Sequence, residues 1–210
     1  MRHLLGYIMV CVAGLALLGC VRKAEDDGAY RVTVRLHGGA LQHIDSATLL
    51  VIDPDYGQQR VLGGARVQDS TLAFAGHVAG AQLAYVDLSS DSLPYQFYFI
   101  LEPTDITISI GPRHWQISGG RGNRSYQQFL NRHDRLLSSR DSLWREYVRM
   151  GTDSTLTWDA ERSSLRLDSL LQDSLQRIIV ERINRGDLVS RLIKQRLLPT
   201  LTRESLQKIK

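Results

Sequence analysis

The chain has 210 residues, with 26 Lys and Arg against 22 Asp and Glu. That length can bury one sizeable core or two modest ones. A small positive excess, with arginines scattered among carboxylates, argues against nucleic acid as a partner.

The first twenty residues carry an export pattern. Arg2 and His3 precede an uncharged apolar run over residues 4–18, and Leu17-Leu18-Gly19-Cys20 closes it. The run is short for a membrane span and ends in a cysteine with charges close behind, which reads as a secretory signal. The pattern resembles a bacterial lipoprotein signal over residues 1–19, which implies that Cys20 becomes the lipidated first residue and the membrane anchor. Cleavage discards Cys11, so Cys20 is the only cysteine left; no intramolecular disulfide and no CxxC motif is available. Residues 20–29 then read as the lipidated cysteine with a polar tether, in which Glu25-Asp26-Asp27 is a solvated linker.

Residues 30–36 alternate, with Tyr30, Val32, Val34 and Leu36 on one face and Arg31, Thr33 and Arg35 on the other, the pattern of a half-buried strand. Short apolar or alternating runs follow at 47–52, 60–67 with a Gly63-Gly64 interruption, 72–78, 83–88, 95–101, 106–110 and 115–117. Turn residues such as Asp53-Pro54-Asp55-Tyr56-Gly57 separate them. This spacing predicts an antiparallel sandwich or open barrel of about seven to nine strands. No ten-residue helical period falls between residues 30 and 118, which argues against parallel βαβ units.

The glycine cluster of Gly119, Gly120 and Gly122 marks a change of period. Ser125 is the expected N-cap of a first long helix, along which Tyr126, Phe129, Leu130, His133, Leu136, Leu137, Leu143, Trp144, Tyr147 and Val148 recur at spacings of three and four. Gly151-Thr152 ends it. A second helix starts near Thr157 or Asp159 and carries Leu165, Leu170, Leu171, Leu175, Ile178, Ile179 and Ile183. Asn184-Arg185-Gly186 is its expected cap, and Asp187 starts a further helix ending before Pro199. Residues 202–210 predict a short, frayed helix. The expected class is therefore α+β: a β domain over 30–124, then two or three amphipathic helices over 125–210. The apolar faces of those helices must meet the sheet, each other or a second protein.

Several pieces together resemble the DUF4369 lipoproteins of Bacteroidota, in which a small β domain and a helical connector often precede a thioredoxin-like domain. The lipobox, the segment VQDSTLAFAGHV at 67–78 and FYFILEP at 97–103 with the run 106–110 carry the resemblance. So does the entry to the helix at 117–123. It implies a hairpin turning at Asp69-Ser70 and a pair of strands formed by 97–103 with 106–110. The relatives' catalytic cysteines have no counterpart, so the resemblance implies an accessory module without redox activity, lipid-anchored in the cell envelope. The membrane face is left open.

Motifs that carry chemistry are weak. The glycine cluster lacks the Lys-Ser/Thr of a P-loop and the spacing of a dinucleotide fingerprint. His37, His43, His77, His114 and His133 form no HxH or HExxH pattern, and no metal or cofactor site is expected. No G-x-S-x-G elbow occurs. Asp53, Asp55 and Glu102 make an acid/base pair only if the fold gathers them. Arg185-Gly186-Asp187 spells an adhesion tripeptide and reads as a helix break and cap. Tyr95, Phe97, Tyr98 and Phe99 form either core or an exposed aromatic patch for a partner or glycan. The functional expectation is a non-catalytic module that binds protein through its helical region, with small-molecule or glycan binding as the alternative and an unrecognised enzyme behind both.

Overall fold

The computed structural model describes residues 28–38, 44–53, 57–88, 95–112 and 114–210. The expected signal peptide, Cys20 and most of the expected tether lie outside the described residues, as do His43, Pro54, Asp55 and Tyr56.

Eight strands are present among the described residues: β1 (Ala29–Leu36), β2 (Ser46–Ile52), β3 (Gln59–Arg66), β4 (Thr71–His77), β5 (Gln82–Asp87), β6 (Gln96–Leu101), β7 (Asp105–Ile110) and β8 (Trp115–Ser118). They form two four-stranded sheets, ordered β4-β1-β7-β8 and β3-β2-β5-β6. Helices follow, namely α1 (Arg121–Thr152), α2 (Trp158–Ile183), α3 (Leu188–Leu197) and the short α4 (Arg203–Gln207) after a 3₁₀ turn. The class is α+β, with the sheets N-terminal.

Alternation along β1 places Val32 and Val34 in the core, where neither is exposed, and leaves Arg31 and Arg35 in water. The same logic orders β2, whose Ala47, Leu49 and Val51 are buried. In β5 four consecutive residues from Leu83 to Val86 are buried, which requires cover on both faces of the sheet. The second cover comes from α3, which packs on β5 and β6. Sheets and helices thereby share one continuous core running from Val32 and Leu49 to Ile179 and Leu192.

Two expected pairings differ. β6 and β7 are not partners: β6 pairs β5 in one sheet, and β7 lies between β1 and β8 in the other. A tight turn in which Thr104 N–H bonds the Glu102 carbonyl at 2.7 Å carries the chain across the gap between sheets. It lands β7 beside β1 in the same direction, so this one pairing among the described strands is parallel while the others are antiparallel. The hairpin expected over 67–78 keeps its turn but not its legs. Gln68 and Thr71 exchange backbone bonds of 2.9 and 2.8 Å, after which β3 stays with β2 and β4 leaves to pair with β1. The Gly63-Gly64 interruption is absorbed by a bulge in which Leu62 is the extra residue.

Asp69 and Ser70 both take positive φ, 48° and 58°, the geometry of a type I′ turn that favours glycine at the second position. Ser70→Gly is therefore expected to raise the unfolding free energy by about 0.5–1 kcal/mol by relieving the left-handed strain. Thermal melts check this, and a lowered Tm contradicts it.

The first helix begins at Arg121, inside the glycine cluster, and not after Ser125. Gly119 and Gly120 have φ of 91° and 78°. A Cβ on Gly119 would overlap the Asp105 carbonyl oxygen, and one on Gly120 would overlap the Glu102 carboxylate. The cap is borrowed from the sheet, for Glu102 Oε2 accepts from Gly122 N–H at 3.0 Å. Because α1 has no acidic residue in its first turn, that carboxylate also supplies charge opposite the helix dipole. Ser125 Oγ instead accepts from Arg182 at 3.2 Å.

Candidate functional site

α1 closes one side of the sandwich. β6 and β8 are edge strands of the two sheets, and each presents unpaired backbone on the side where α1 lies. Asn123, fully buried, accepts from Ile100 N–H at 2.9 Å and donates to the Ile100 carbonyl at 2.8 Å. Four residues on, and so on the same face of the helix, Gln127 accepts from Ile117 N–H at 2.7 Å. One helix thereby satisfies both edges with side-chain amides. On the opposite side of the sandwich the Gln68 to Thr71 turn joins the other two edge strands, β3 and β4.

Beneath α1 lies an open cleft of about 510 Å³, lined by Trp115, Tyr126, Phe129, His133, His114 and Arg196 among others. Trp115 meets Tyr126 in it at 6.1 Å and, away from the cleft, meets Phe97 edge-on at 5.7 Å. Burial pushes the Tyr126 phenol up, and the Arg196 guanidinium donating to its oxygen at 3.1 Å partly opposes this. Arg196 also stands 5.5 Å over the ring of Tyr98, which stacks on Tyr85 at 5.1 Å. The expected alternation in β6 holds, with Phe97 and Phe99 facing the sandwich interior and Tyr98 facing α3. The aromatic patch is therefore mostly covered; Tyr95 is its exposed member.

Of the histidines, the fold gathers two. His114 and His133 both line the cleft, with His133 stacked on Phe129 at 5.9 Å. His37 and His77 stand exposed at the ends of β1 and β4. Among the described residues no cluster of three or more metal-ligating side chains occurs. Asp53 and Glu102 sit at the same end of one sheet but two strand positions apart, about 10 Å by interstrand spacing, and Glu102 is engaged as the helix cap. Asp187 caps α3 through Ser190 N–H at 2.8 Å and pairs with Arg182 at 2.8 Å, which engages the carboxylate of the adhesion-like tripeptide inside the protein.

The larger surface feature is the outer part of the helical hairpin. α1 spans 32 residues, yet its last buried side chain is Phe129, and in α2 burial resumes at Leu175. Residues 131–174 contain no buried residue at all and make a two-helix arm whose α1 limb extends about 30 Å. The two limbs are held by Arg140 Nε on Asp168 at 2.6 Å, Trp144 Nε1 on the same carboxylate at 2.9 Å and Tyr147 on Glu161 at 3.3 Å. The Arg140 hydrogen bond holds Asp168 below the usual carboxylate range. Trp144, Val148, Trp158 and Leu165 are 39, 63, 79 and 51% exposed.

Helix ends on the arm follow the sequence. Thr157 caps α2 by accepting from Ala160 N–H at 3.2 Å, and α1 ends at Thr152. The C-terminal segment, expected to fray, is instead docked. Gln176 bonds Thr200 and Thr202, and Asn184 bonds the backbone of Lys208 and Lys210, while Leu201 is buried.

Compared with known proteins, the chain matches no family model and no curated protein. Its class is defined by the structure alone, as a two-sheet sandwich sealed by a helix that runs on into a bare two-helix arm. No helix among the described residues is long and apolar enough to cross a membrane.

Proposed function

We propose that this chain is a non-catalytic, lipid-anchored module of the cell envelope that binds protein through its two-helix arm. The reading joins the export pattern ending at Cys20 to the resemblance to DUF4369 lipoproteins, whose redox cysteines have no counterpart here. The observation that carries it is the arm, whose tryptophans and aliphatic side chains face water along helices that fold only against each other. Apolar side chains at this exposure contribute little to the monomer and much to an interface. In this role the arm serves as the docking element, the sandwich as a rigid base and Cys20 as the membrane anchor, with a thiol-disulfide oxidoreductase system as the context.

A second reading, binding of a small molecule or glycan, is favoured by the cleft of Trp115 and Tyr126, which offers aromatic faces beside His114, His133 and Arg196. One experiment separates the two. A photocrosslinking side chain placed at Trp158 in the full chain, activated in intact envelopes, is expected to give discrete protein adducts. No adduct, with a melting temperature raised by envelope saccharides, would replace the first reading with the second.

A further inference from the structure

We propose that the occupant of the bare arm is a second copy of this chain, the two arms packing face to face about a twofold axis as a four-helix bundle. The inference rests on reading the arm as a protein-docking surface and names the protein.

The stripe has heptad spacing on both limbs. Leu130, Leu137 and Trp144 recur every seven residues along α1, and Trp158, Leu165, Gln172 and Ile179 along α2. Such spacing suits a seam between nearly parallel or antiparallel helices. At the base the stripe is already used, since Ile179 is buried and Leu130 packs against the core. Farther out the same positions open progressively, from 36% exposed at Leu137 and 39% at Trp144 to 79% at Trp158. In an antiparallel helix pair the α1 and α2 stripes fall on one side, whereas Leu167 and Leu170 fall on the opposite flank of α2.

The area is right for a dimer. Leu137, Trp144, Val148, Trp158 and Leu165 together expose about 500 Å² of apolar side chain, at the upper end for one patch on a monomer. Twofold pairing doubles it to about 1,000 Å², the size at which specific interfaces begin.

Charge points to self-pairing as well. Residues 131–174 carry seven arginines and eight carboxylates and no lysine. A near-neutral, mixed-sign surface does not repel its own copy, as an isologous contact requires. An anionic lipid surface calls for a basic excess that the arm lacks. Tryptophan and arginine with lysine absent is also the composition of interface centres.

Sedimentation equilibrium of the full chain in density-matched detergent tests the idea. The expected result is a dimer at micromolar concentration, with Val148→Glu and Leu165→Glu each weakening association by about tenfold or more. Leu167→Glu, on the other flank, leaves it intact. All three variants keep the parent's far-ultraviolet circular dichroism, because each of these side chains is about half exposed or more in the monomer. A monomer throughout that range overturns the proposal, as does Leu167→Glu dissociating the dimer as fully as Leu165→Glu. A monomer whose Trp158 crosslinks to a different protein ends the self-association and keeps the docking arm; a monomer without adducts ends both.

Discussion

Asn123→Ala is expected to lower the unfolding free energy by about 4 kcal/mol, a large share of the roughly 5–15 kcal/mol that holds a domain of this size. The side chain is fully buried and meets both backbone groups of Ile100, itself 1% exposed. Truncation leaves an N–H and a carbonyl with no partner and no access to water, at about 1–3 kcal/mol each. Asn123→Asp distinguishes this cause from simple loss of volume. Aspartate retains an acceptor for Ile100 N–H but has no donor for the carbonyl, and it buries a charge, so it should be at least as damaging as alanine. Gln127→Ala removes one part-buried bond at the neighbouring edge and should cost about 1 kcal/mol. Urea melts followed by circular dichroism give the comparison, and a loss below about 1 kcal/mol for Asn123→Ala would show that the edge of β6 finds another partner.

Asp187→Ala should cost about 3 kcal/mol through a residue on another helix. Arg182 is 6% exposed, and its guanidinium is balanced by the Asp187 carboxylate with help from Ser190 and Ser125. Removing the carboxylate strands a buried cation and takes the N-cap from α3 in one step. The pair also sets a pH dependence. Burial pushes the Asp187 carboxyl up, but hydrogen bonds from Arg182 and from the Ser190 amide and hydroxyl outweigh it and hold the group at about 2, against an ordinary 3.8. A carboxyl depressed on folding contributes its stability in full above its unfolded value and loses it as pH falls through the folded one. The window is therefore between about pH 4 and pH 2. Because the Asp187 side chain is 54% exposed, screening reduces the contribution to about 1 kcal/mol. Asp187→Asn should remove that acid-sensitive portion, so the stability curves of parent and variant converge below about pH 2. Parallel curves across the window would assign acid sensitivity elsewhere.

Much of the fold is legible from local signals. Period-two alternation marks the strands, and Thr157 and Asp187 announce their helices because their side chains bond amides three residues away. Sheet membership is not local. Nothing in FYFILEP says that β6 joins β5 while β7 crosses to β1, since alternation fixes which face a residue takes and not which strand it meets. The start of α1 was obscured for a related reason. Its capping carboxylate, Glu102, is supplied by the end of β6, and Ser125 has the right chemistry but is drawn to Arg182. Asn123 follows a glycine-rich turn and carries no motif of its own; the signal that points to it is the Asn123/Gln127 pair at helical spacing. In the same way Gln176 and Asn184 fasten a C-terminal segment whose own apolar content predicts fraying. At the arm, the apolar stripe was plain in the sequence, but its lack of cover emerges only once the sandwich and α3 are seen to end near Phe129 and Leu175.

The parallel register of β1 with β7 also bears on how the protein reaches this structure. β1 is the first strand made and sits second in its sheet, yet Arg31 meets Asp105, about seventy residues downstream. Until β7 has been synthesised, one edge of β1 has no native neighbour, and a contact spanning so much chain closes slowly. The opposing sheet needs only β2 through β6 and can assemble earlier. A chain emerging from its N-terminus can thus pair β1 with β4 well before β7 completes that sheet, and α1, made after every strand it bonds, comes last to both edges.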